Sequence, residues 1–523
     1  MRVAGSLAVI LAFLAGTVPH GAGPAERWWA HVRFLADDRL EGRDTGSRGH
    51  RLAAQYVADG YKAAGLDPRG TDGYFQPIAF ESRQFLEDRS RLAIVRGGKE
   101  EPIAFGDAAI VNVRVTPARE IDAPLAFAGY GLSVPEAGYD DLEGLDLTGR
   151  IAVIVSGGPA TLTGPVLSHA SSVRWTALHR AGAIGLVSIQ RTSDIPWERT
   201  KLRRLTPVKG LAEDPRGDTT QQLALTVNPD AAEAWFEGSA HTAAEVLSLA
   251  AERKPLPRFA LSGHLRATLI TSVTPLQSDN VVGILRGTDP QLAGEHLVLS
   301  AHLDHIGRGE PVNGDAIYNG AMDNASGTAT LLEVARRLRA SGVSLRRSVV
   351  FLSVTAEEHG LLGSRYFSAH STVPVSSIVA DLNTDMFLPL FPMRSLIVNG
   401  LEESDLANDL RRVAKAAGID ITGDPEPERN AFVRSDQYSF IRRGIPALAF
   451  KIGWTLGSPE HAMVKRWRDE RYHAPSDDLS QPIDLQAAED FTRFYTELVR
   501  AIANRDTRPR WNDTSFFKRF ATE

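Results

Sequence analysis

The stretch HLVLSAHLDHIG at residues 296–307 decides the fold expected for this chain. Its mostly apolar first part predicts a buried strand over 296–302, and acidic and imidazole side chains follow where that strand ends. Alternation along a strand puts His302 and Asp304 on one face, so the two side chains can act together. Polar residues at a strand end are typical of open α/β sheets, in which ligands gather at the carboxyl ends of strands.

Further strands and helices alternate on both sides of this stretch. Such alternation predicts an α/β fold with a mostly parallel central sheet flanked by helices. A helical pattern also covers residues 27–66, before the alternating region begins. The predicted strands lie at 281–287, 348–354, 377–382 and 445–450, and the predicted helices at 325–338 and 483–503.

The chain has 523 residues, which is too long for one ordinary hydrophobic core and predicts two domains. From about residue 113 to 272 the sequence changes to short β-rich runs separated by Gly, Pro and Asp turns. We therefore expect an inserted β-rich domain at 113–272 and a main domain built from 24–112 and 273–504. The segment 505–523 is expected to be a polar, peripheral tail.

Composition and the N-terminal segment restrict the possible binding partners and the cellular location of the protein. Its net charge of −6 gives no indication of nucleic-acid binding, and the absence of Cys excludes disulfides and a lipidated N-terminus. Residues 1–23 have a basic start, an apolar stretch and small residues, the layout of a secretory signal peptide. The apolar stretch is shorter than the roughly 20 residues that span a bilayer. We therefore expect export to the periplasm or the medium, with no stable membrane insertion after cleavage.

Four more segments carry acidic or imidazole residues at or just after apolar runs: NGAMDNASG (319–327), TAEEHG (355–360), LNTDM (382–386) and YHAPSDD (472–478). Two imidazoles and three carboxylates, with one carboxylate shared, form the ligand set of a paired-zinc site. The candidate ligands are His302, Asp323, Glu358, Asp385 and His473. Glu357 is left as a candidate proton acceptor, and Asp304 as a carboxylate that orients a ligand.

Each segment also has a simpler interpretation. Asp323 precedes a predicted helix and can cap it, and the pair Glu357–Glu358 can be a solvated acidic helix start. Their joint occurrence beside predicted strand ends favours the metal site. His305 is expected to have no role of its own and Asp381 to be structural. Asp477 or Asp478 is expected either to support His473 as an outer partner or to fix its loop.

These segments resemble the bacterial secreted two-zinc aminopeptidases, which share ancestry with glutamate carboxypeptidase and the transferrin receptor. Residues 34–57 resemble the family's N-terminal helix, 435–448 a segment beside its active site, and 113–272 its protease-associated domain. The resemblance implies two zinc ions per chain on the five candidate ligands, with Glu357 as general base and Asp304 in support. It implies removal of N-terminal residues from peptides that have a free N-terminus, by attack of an activated water.

The sequence departs from the family pattern at two places. Gln437 stands where the family often has His, and the stretch 454–471 is longer and more basic than expected. A carboxypeptidase or dipeptidase on the same scaffold is a separate alternative; such enzymes need a cationic group to hold a free carboxylate, and Arg434, Arg466 and Arg468 are the candidates. A single-metal transferase resembling glutaminyl cyclase and a catalytically inactive binding protein are further alternatives. The sequence does not predict the oligomeric state.

Overall fold

The computed structural model describes residues 23–521 except 163, 193–195, 202, 203, 205, 214–219 and 430. The predicted signal peptide at 1–23 therefore lies almost entirely outside the described residues. Among the described helices, none is both long enough and apolar enough to cross a bilayer.

The helices are α1 (Pro24–Leu35), α2 (Arg48–Ala63), α3 (Gly164–Ser172), α4 (Arg174–Arg180), α5 (Trp197–Thr200), α6 (Glu233–Phe236), α7 (Ala243–Ala251), α8 (Ser326–Ala340), α9 (Leu362–Ala369), α10 (Leu406–Ala417), α11 (Gln437–Ile441), α12 (Pro459–Glu470) and α13 (Leu485–Ala503). The helical pattern predicted at 27–66 thus forms two helices, and the predicted helices at 325–338 and 483–503 correspond to α8 and α13.

The strands are β1 (Asp67–Pro68), β2 (Phe75–Phe85), β3 (Arg91–Arg96), β4 (Lys99–Pro102), β5 (Ala109–Val111), β6 (Glu120–Ala128), β7 (Ser133–Val134), β8 (Tyr139–Asp140), β9 (Ile151–Val155), β10 (Gly185–Ile189), β11 (Val208–Leu211), β12 (Ala224–Val227), β13 (Arg258–Thr268), β14 (Thr271–Leu285), β15 (His296–His302), β16 (Gly307–Val312), β17 (Asp315–Tyr318), β18 (Ser348–Val354), β19 (Ile378–Asn383), β20 (Ser395–Asn399), β21 (Asp420–Thr422) and β22 (Ala447–Ile452).

The main sheet has the order β11-β2-β14-β18-β15-β19-β22-β20-β21, with β1 paired to β14. Its four central strands, β18, β15, β19 and β22, run parallel to one another. The strands from β11 to β18 are joined antiparallel, as are β22 and β20. The prediction of a mostly parallel sheet is therefore correct for the centre only, and the sheet as a whole is mixed.

Helices cover both faces of this sheet. On one face α1, α2, α8 and α13 bury large side chains such as Trp28, Leu331 and Phe491 in a single cluster. On the other face Phe367 of α9 and Phe440 of α11 pack on the central strands. The central strands are apolar at successive positions because both of their faces are buried.

A second sheet has the order β4-β3-β13-β6-β9-β10-β12-β5 and its own hydrophobic cluster. Its strands start at Arg91, before the predicted start of the inserted domain at residue 113, and its last strand, β13, ends at Thr268. The predicted segment 113–272 is also not all in this unit. Strand β11, within it, pairs with β2 of the main sheet.

The C-terminal segment is not peripheral, in contrast to its prediction. Phe517 is fully buried and Trp511 nearly so, in a cluster with Tyr438 and Ile441 of α11. Arg519 forms an ion pair of 2.6 Å with Glu136 of the second unit. The aromatic side chains of this segment pack beside α11. The many polar residues between them made the segment look peripheral in the sequence.

Candidate metal centre

The central parallel strands bring most of the predicted site residues to one edge of the sheet. His302 is the last residue of β15, Glu357 and Glu358 follow β18, and Asp385 follows β19. Because these three strands are adjacent and parallel, the residues at their carboxyl ends meet. Asp323 lies in the turn before α8, and His473 in the segment after α12.

One group of donors consists of His302, Asp323 and Asp385, whose donor atoms lie within 4.8 Å of one another. The Nε2 atom of His302 is 3.1 Å from Asp323 Oδ1 and 3.5 Å from Asp385 Oδ1. Asp385 Oδ1 is buried and accepts no hydrogen bond from a described residue. A buried carboxylate oxygen without a donor is costly unless a cation neutralises it.

A second group uses the other oxygen of Asp323. The Nε2 atom of His473 is 3.2 Å from Asp323 Oδ2 and 3.3 Å from Glu358 Oε2. Asp323 therefore offers one carboxylate oxygen to each group. Imidazole nitrogens and carboxylate oxygens are ligands that zinc accepts, so both donor sets have the chemistry of a zinc site.

His305 also belongs to this second group, although the sequence predicted no role for it. Its ring is fully buried, with Nδ1 at 2.8 Å from Glu358 Oε1 and 3.9 Å from Asp323 Oδ2. The signal was present in the sequence, because His305 follows the same strand end as His302. Two imidazoles thus contact Glu358 from different sides.

The electrostatics of the centre favour bound positive charge. Burial alone lowers the pKa of His302, but Glu357, Asp323 and Asp385 together raise it well above its usual value. The pKa of His473 rises to about 9 because Glu358 and Asp323 outweigh its burial. The negative charge of the carboxylates therefore favours the protonated form of both imidazoles. A bound metal cation would neutralise the same negative charge.

Asp304 does not pair with the imidazole of His302, as a His-x-Asp sequence suggests, but contacts the backbone after β18. Its carboxylate accepts hydrogen bonds from the backbone N–H groups of Glu357, at 3.0 Å, and Glu358, at 3.4 Å. The ring of His302 instead places Nδ1 at 3.0 Å from the backbone oxygen of Asp304. Since a carbonyl only accepts, Nδ1 carries the proton and Nε2 is left to face the carboxylates.

Asp477 fixes the turn that carries Asp323. Its carboxylate accepts from the backbone N–H groups of Met322, at 2.9 Å, and Asp323, at 3.0 Å. Asp478 instead accepts from Ser480 in its own loop. Of the two aspartates that the sequence offered as loop partners, Asp477 is therefore the one that contacts the candidate centre.

Arg43 is, after His305, the second residue that supports the centre and was not predicted from the sequence. Its guanidinium is fully buried and donates to the backbone oxygens of Leu303, Asn319 and Gly320, at 2.9, 2.6 and 3.0 Å. These carbonyls belong to the segments that carry His302 and Asp323. The preceding Gly42 has φ 70°, and a Cβ there would lie within 3 Å of two carbonyl oxygens, so only glycine fits.

A cavity of about 760 Å³ opens over the centre. Glu357, Asp385 and His473 line it, and Glu357 is half-buried with its pKa raised well above the usual value, first by burial. Gln437 lines it as well, and its side-chain oxygen accepts from Asn383 at 2.6 Å. Gln437 thus fixes a strand end, a role compatible with the absence of the histidine common in the resembling family.

The second unit contacts two segments of the centre. Arg114 donates to the backbone oxygen of Glu358 at 3.2 Å. Arg199 of α5 donates to the backbone oxygens of Asp469, at 3.1 Å, and of Tyr472. Tyr472 stacks on the ring of His473, whose backbone has a positive φ of 55°. A residue of the second unit therefore holds the strained segment that presents His473.

Comparison with known proteins places this centre in a family context. Residues 280–499 match the model of Peptidase family M28, and this range contains all five candidate ligands together with Asp304 and Glu357. The chain is 28% identical over 225 residues to Aminopeptidase YwaD of Bacillus subtilis (strain 168), which covers 42% of this chain and 44% of that protein. It is 32% identical over 127 residues to the probable glutamate carboxypeptidase LAMP1 of Arabidopsis thaliana, over 24% of this chain and 17% of that protein.

The fold has a counterpart over nearly the whole chain. An aminopeptidase from Aneurinibacillus sp. strain AM-1 superimposes with a TM-score of 0.53 at 19% identity, over 93% of this chain and 98% of the other. The matched segments cover less than half the length of the first curated relatives, at 44%, 35% and 40%. The comparisons thus show an α/β fold shared with that structure and a family match over residues 280–499.

Proposed function

We propose that this chain is an exported, zinc-dependent aminopeptidase that removes N-terminal residues from peptides. The observation that carries the proposal is the pair of donor groups sharing Asp323, beside Glu357, on the wall of a substrate-sized cavity. The match to Peptidase family M28 and the similarity to proteins named aminopeptidases support it.

In this proposal His302, Asp323 and Asp385 would hold one zinc ion, and Asp323, Glu358 and His473 would hold the other, with His305 against Glu358. Bound zinc lowers the pKa of water and polarises a carbonyl, which is the chemistry that peptide hydrolysis needs. Arg43, Asp304 and Asp477 keep the ligand-bearing segments in place through the backbone hydrogen bonds described above.

Glu357 is the proposed general base. It is free of the two donor groups, yet it is adjacent to Glu358, and the backbone N–H that it donates to Asp304 fixes the start of its side chain. Burial and the neighbouring carboxylates raise its pKa, which makes it a better proton acceptor than an exposed glutamate. It takes a proton from the attacking water and passes it to the leaving amine.

The test is hydrolysis of aminoacyl-p-nitroanilides by the purified zinc-loaded protein, each paired with its N-acetylated form. We expect cleavage of the free-amine substrates only, because carboxylates at the centre bind the α-ammonium group. A chelator should abolish the activity and added zinc restore it. Equal cleavage of the acetylated substrates would contradict an aminopeptidase.

A carboxypeptidase or dipeptidase is the second candidate, favoured by cationic side chains on the cavity wall. Of the three arginines offered by the sequence, Arg434 lines the cavity, Arg468 lines it but is paired with Glu426 at 3.1 Å, and Arg466 is not among the lining residues. Peptides with an acetylated N-terminus and a free C-terminus, compared with their C-terminal amides, test this candidate. Cleavage that requires the free carboxylate would replace the aminopeptidase proposal.

A further prediction concerns the contact from the second unit. Arg199→Ala should weaken binding of one zinc ion per chain about tenfold, because the end of α12 and the segment after it, which present His473, lose two hydrogen bonds. The other ion, held by His302 and Asp385, should bind as before. Zinc content during a chelator titration measures this, with Arg258→Ala as the control.

Arg258 is a matched control because it also donates to two backbone oxygens of the second unit, those of Asp140 and Glu143, away from the centre. Equal zinc affinity in the Arg199 and Arg258 variants would show that the contact does not position His473. The identity of the second unit as a protease-associated domain remains a proposal from the sequence.

A further inference from the structure

Positive charge dominates the wall of the cavity. The described residues that line it include eight Lys and Arg side chains and, apart from the four carboxylates at the candidate centre, two acidic residues, Asp424 and Glu426. Two zinc ions would balance the four carboxylates of the centre. The remaining wall then carries an excess of positive charge that faces the substrate.

Lys451 is a cation of this wall that interacts with a residue of the centre. Lys451, on β22, lines the cavity and interacts electrostatically with Asp385, which also lines it. Its Nζ makes a long contact of 3.4 Å with the backbone oxygen of Met386. The side chain is half-buried and has no described carboxylate within ion-pair distance.

Arg429 and Arg434 extend the positive charge from Lys451 toward the opening. Arg429 is 3.9 Å from Glu426, whose carboxylate is already engaged by Arg468. Arg434 is exposed, forms no side-chain hydrogen bond or ion pair with a described residue, and acts electrostatically on Arg429 and Tyr472. The aromatic rings of Trp454 and Trp467 complete the lining on this side.

We propose that Lys451, Arg429 and Arg434 form a recess that binds the side-chain carboxylate of an acidic first residue of the substrate. Three cations that face one space repel one another, and a bound carboxylate relieves this repulsion while it gains charge-assisted hydrogen bonds. The inference rests on the proposed peptidase function and names its substrate class.

The test compares kcat/KM of the zinc-loaded full chain on p-nitroanilides of Glu, Gln and Leu. Glu and Gln have the same shape, so their ratio isolates the charge. We expect Glu to be preferred over Gln by at least about tenfold, and the preference to fall about tenfold in Lys451→Met and in Arg434→Gln. Arg466→Gln, an exposed arginine on α12 outside the lining, is the matched control and should keep the wild-type ratio.

A wild-type ratio of one or less, or an unchanged ratio in Lys451→Met, would overturn the recess while leaving the aminopeptidase proposal intact. Absence of cleavage of all three substrates would instead contradict the aminopeptidase. Calorimetric titration of the zinc-loaded protein with free L-glutamate and L-glutamine then tests the recess without turnover. Tighter binding of glutamate that is lost in Lys451→Met supports the recess, and equal binding of the two overturns it. A preference for Glu only at the C-terminal position of acetylated peptides would assign the recess to a C-terminal carboxylate and overturn the proposal.

Discussion

Glu357→Gln is expected to lower kcat by about 10²–10⁴-fold while both zinc ions stay bound. The amide has nearly the shape of the carboxylate but cannot accept the proton of the attacking water. Glu357 belongs to neither donor group, so its replacement leaves the ligands unchanged. The measurement is kcat on a free-amine p-nitroanilide, together with zinc content per chain after dialysis.

Glu358→Gln is the matched comparison, because it makes the same change at the next residue. Glu358 contacts both His473 and His305, so we expect this variant to lose zinc as well as activity. Near-normal turnover in Glu357→Gln would remove it from the mechanism. Loss of zinc in Glu357→Gln, with retention in Glu358→Gln, would exchange the two proposed roles.

Asp323→Asn is expected to have the largest effect on metal binding, since both donor groups use this carboxylate. One oxygen of Asp323 is 3.1 Å from His302 and the other 3.2 Å from His473. An amide keeps a single neutral oxygen and cannot serve both groups. Because loss of even an outer partner of a metal ligand costs about 10–100-fold in affinity, we expect zinc binding to weaken by more than about 100-fold.

A chelator competition titration measures that affinity, and thermal unfolding gives a second readout. Zinc that binds only the folded chain raises the wild-type melting temperature, and this rise should nearly vanish in Asp323→Asn. Asp478→Asn, whose carboxylate contacts Ser480 in its own loop, is the control and should bind zinc like the wild type. Two ions bound to Asp323→Asn with unchanged affinity would rule out a shared carboxylate.

The strand ends were predictable from the sequence because their signal is local. A buried strand such as 296–302 is recognisable from its run of apolar residues, and the polar residue that follows it must lie at the sheet edge. Strand direction leaves no such signal. The strand predicted at 281–287 was therefore expected in a parallel sheet, whereas β14, which contains it, is antiparallel to both of its neighbours, β2 and β18.

The contacts that hold the centre together were not predictable, because they join residues far apart in the chain. Arg43 and Leu303 are 260 residues apart, and a buried arginine has no pattern that distinguishes it from an exposed one. Asp304 shows the same difficulty at short range. Its spacing from His302 suggested a partner for the imidazole, whereas the fold turns its carboxylate toward the backbone of the next strand end.

Strand β11 affects how the two units can be exchanged between proteins. It leaves the second unit, pairs with β2 at the edge of the main sheet, and places Lys209 against Asp44 before the chain returns. A chimera that replaces residues 91–268 as one cassette would strip the main sheet of its last strand and expose the unpaired edge of β2. A working graft must therefore keep residues 208–211 from the same parent as the main sheet.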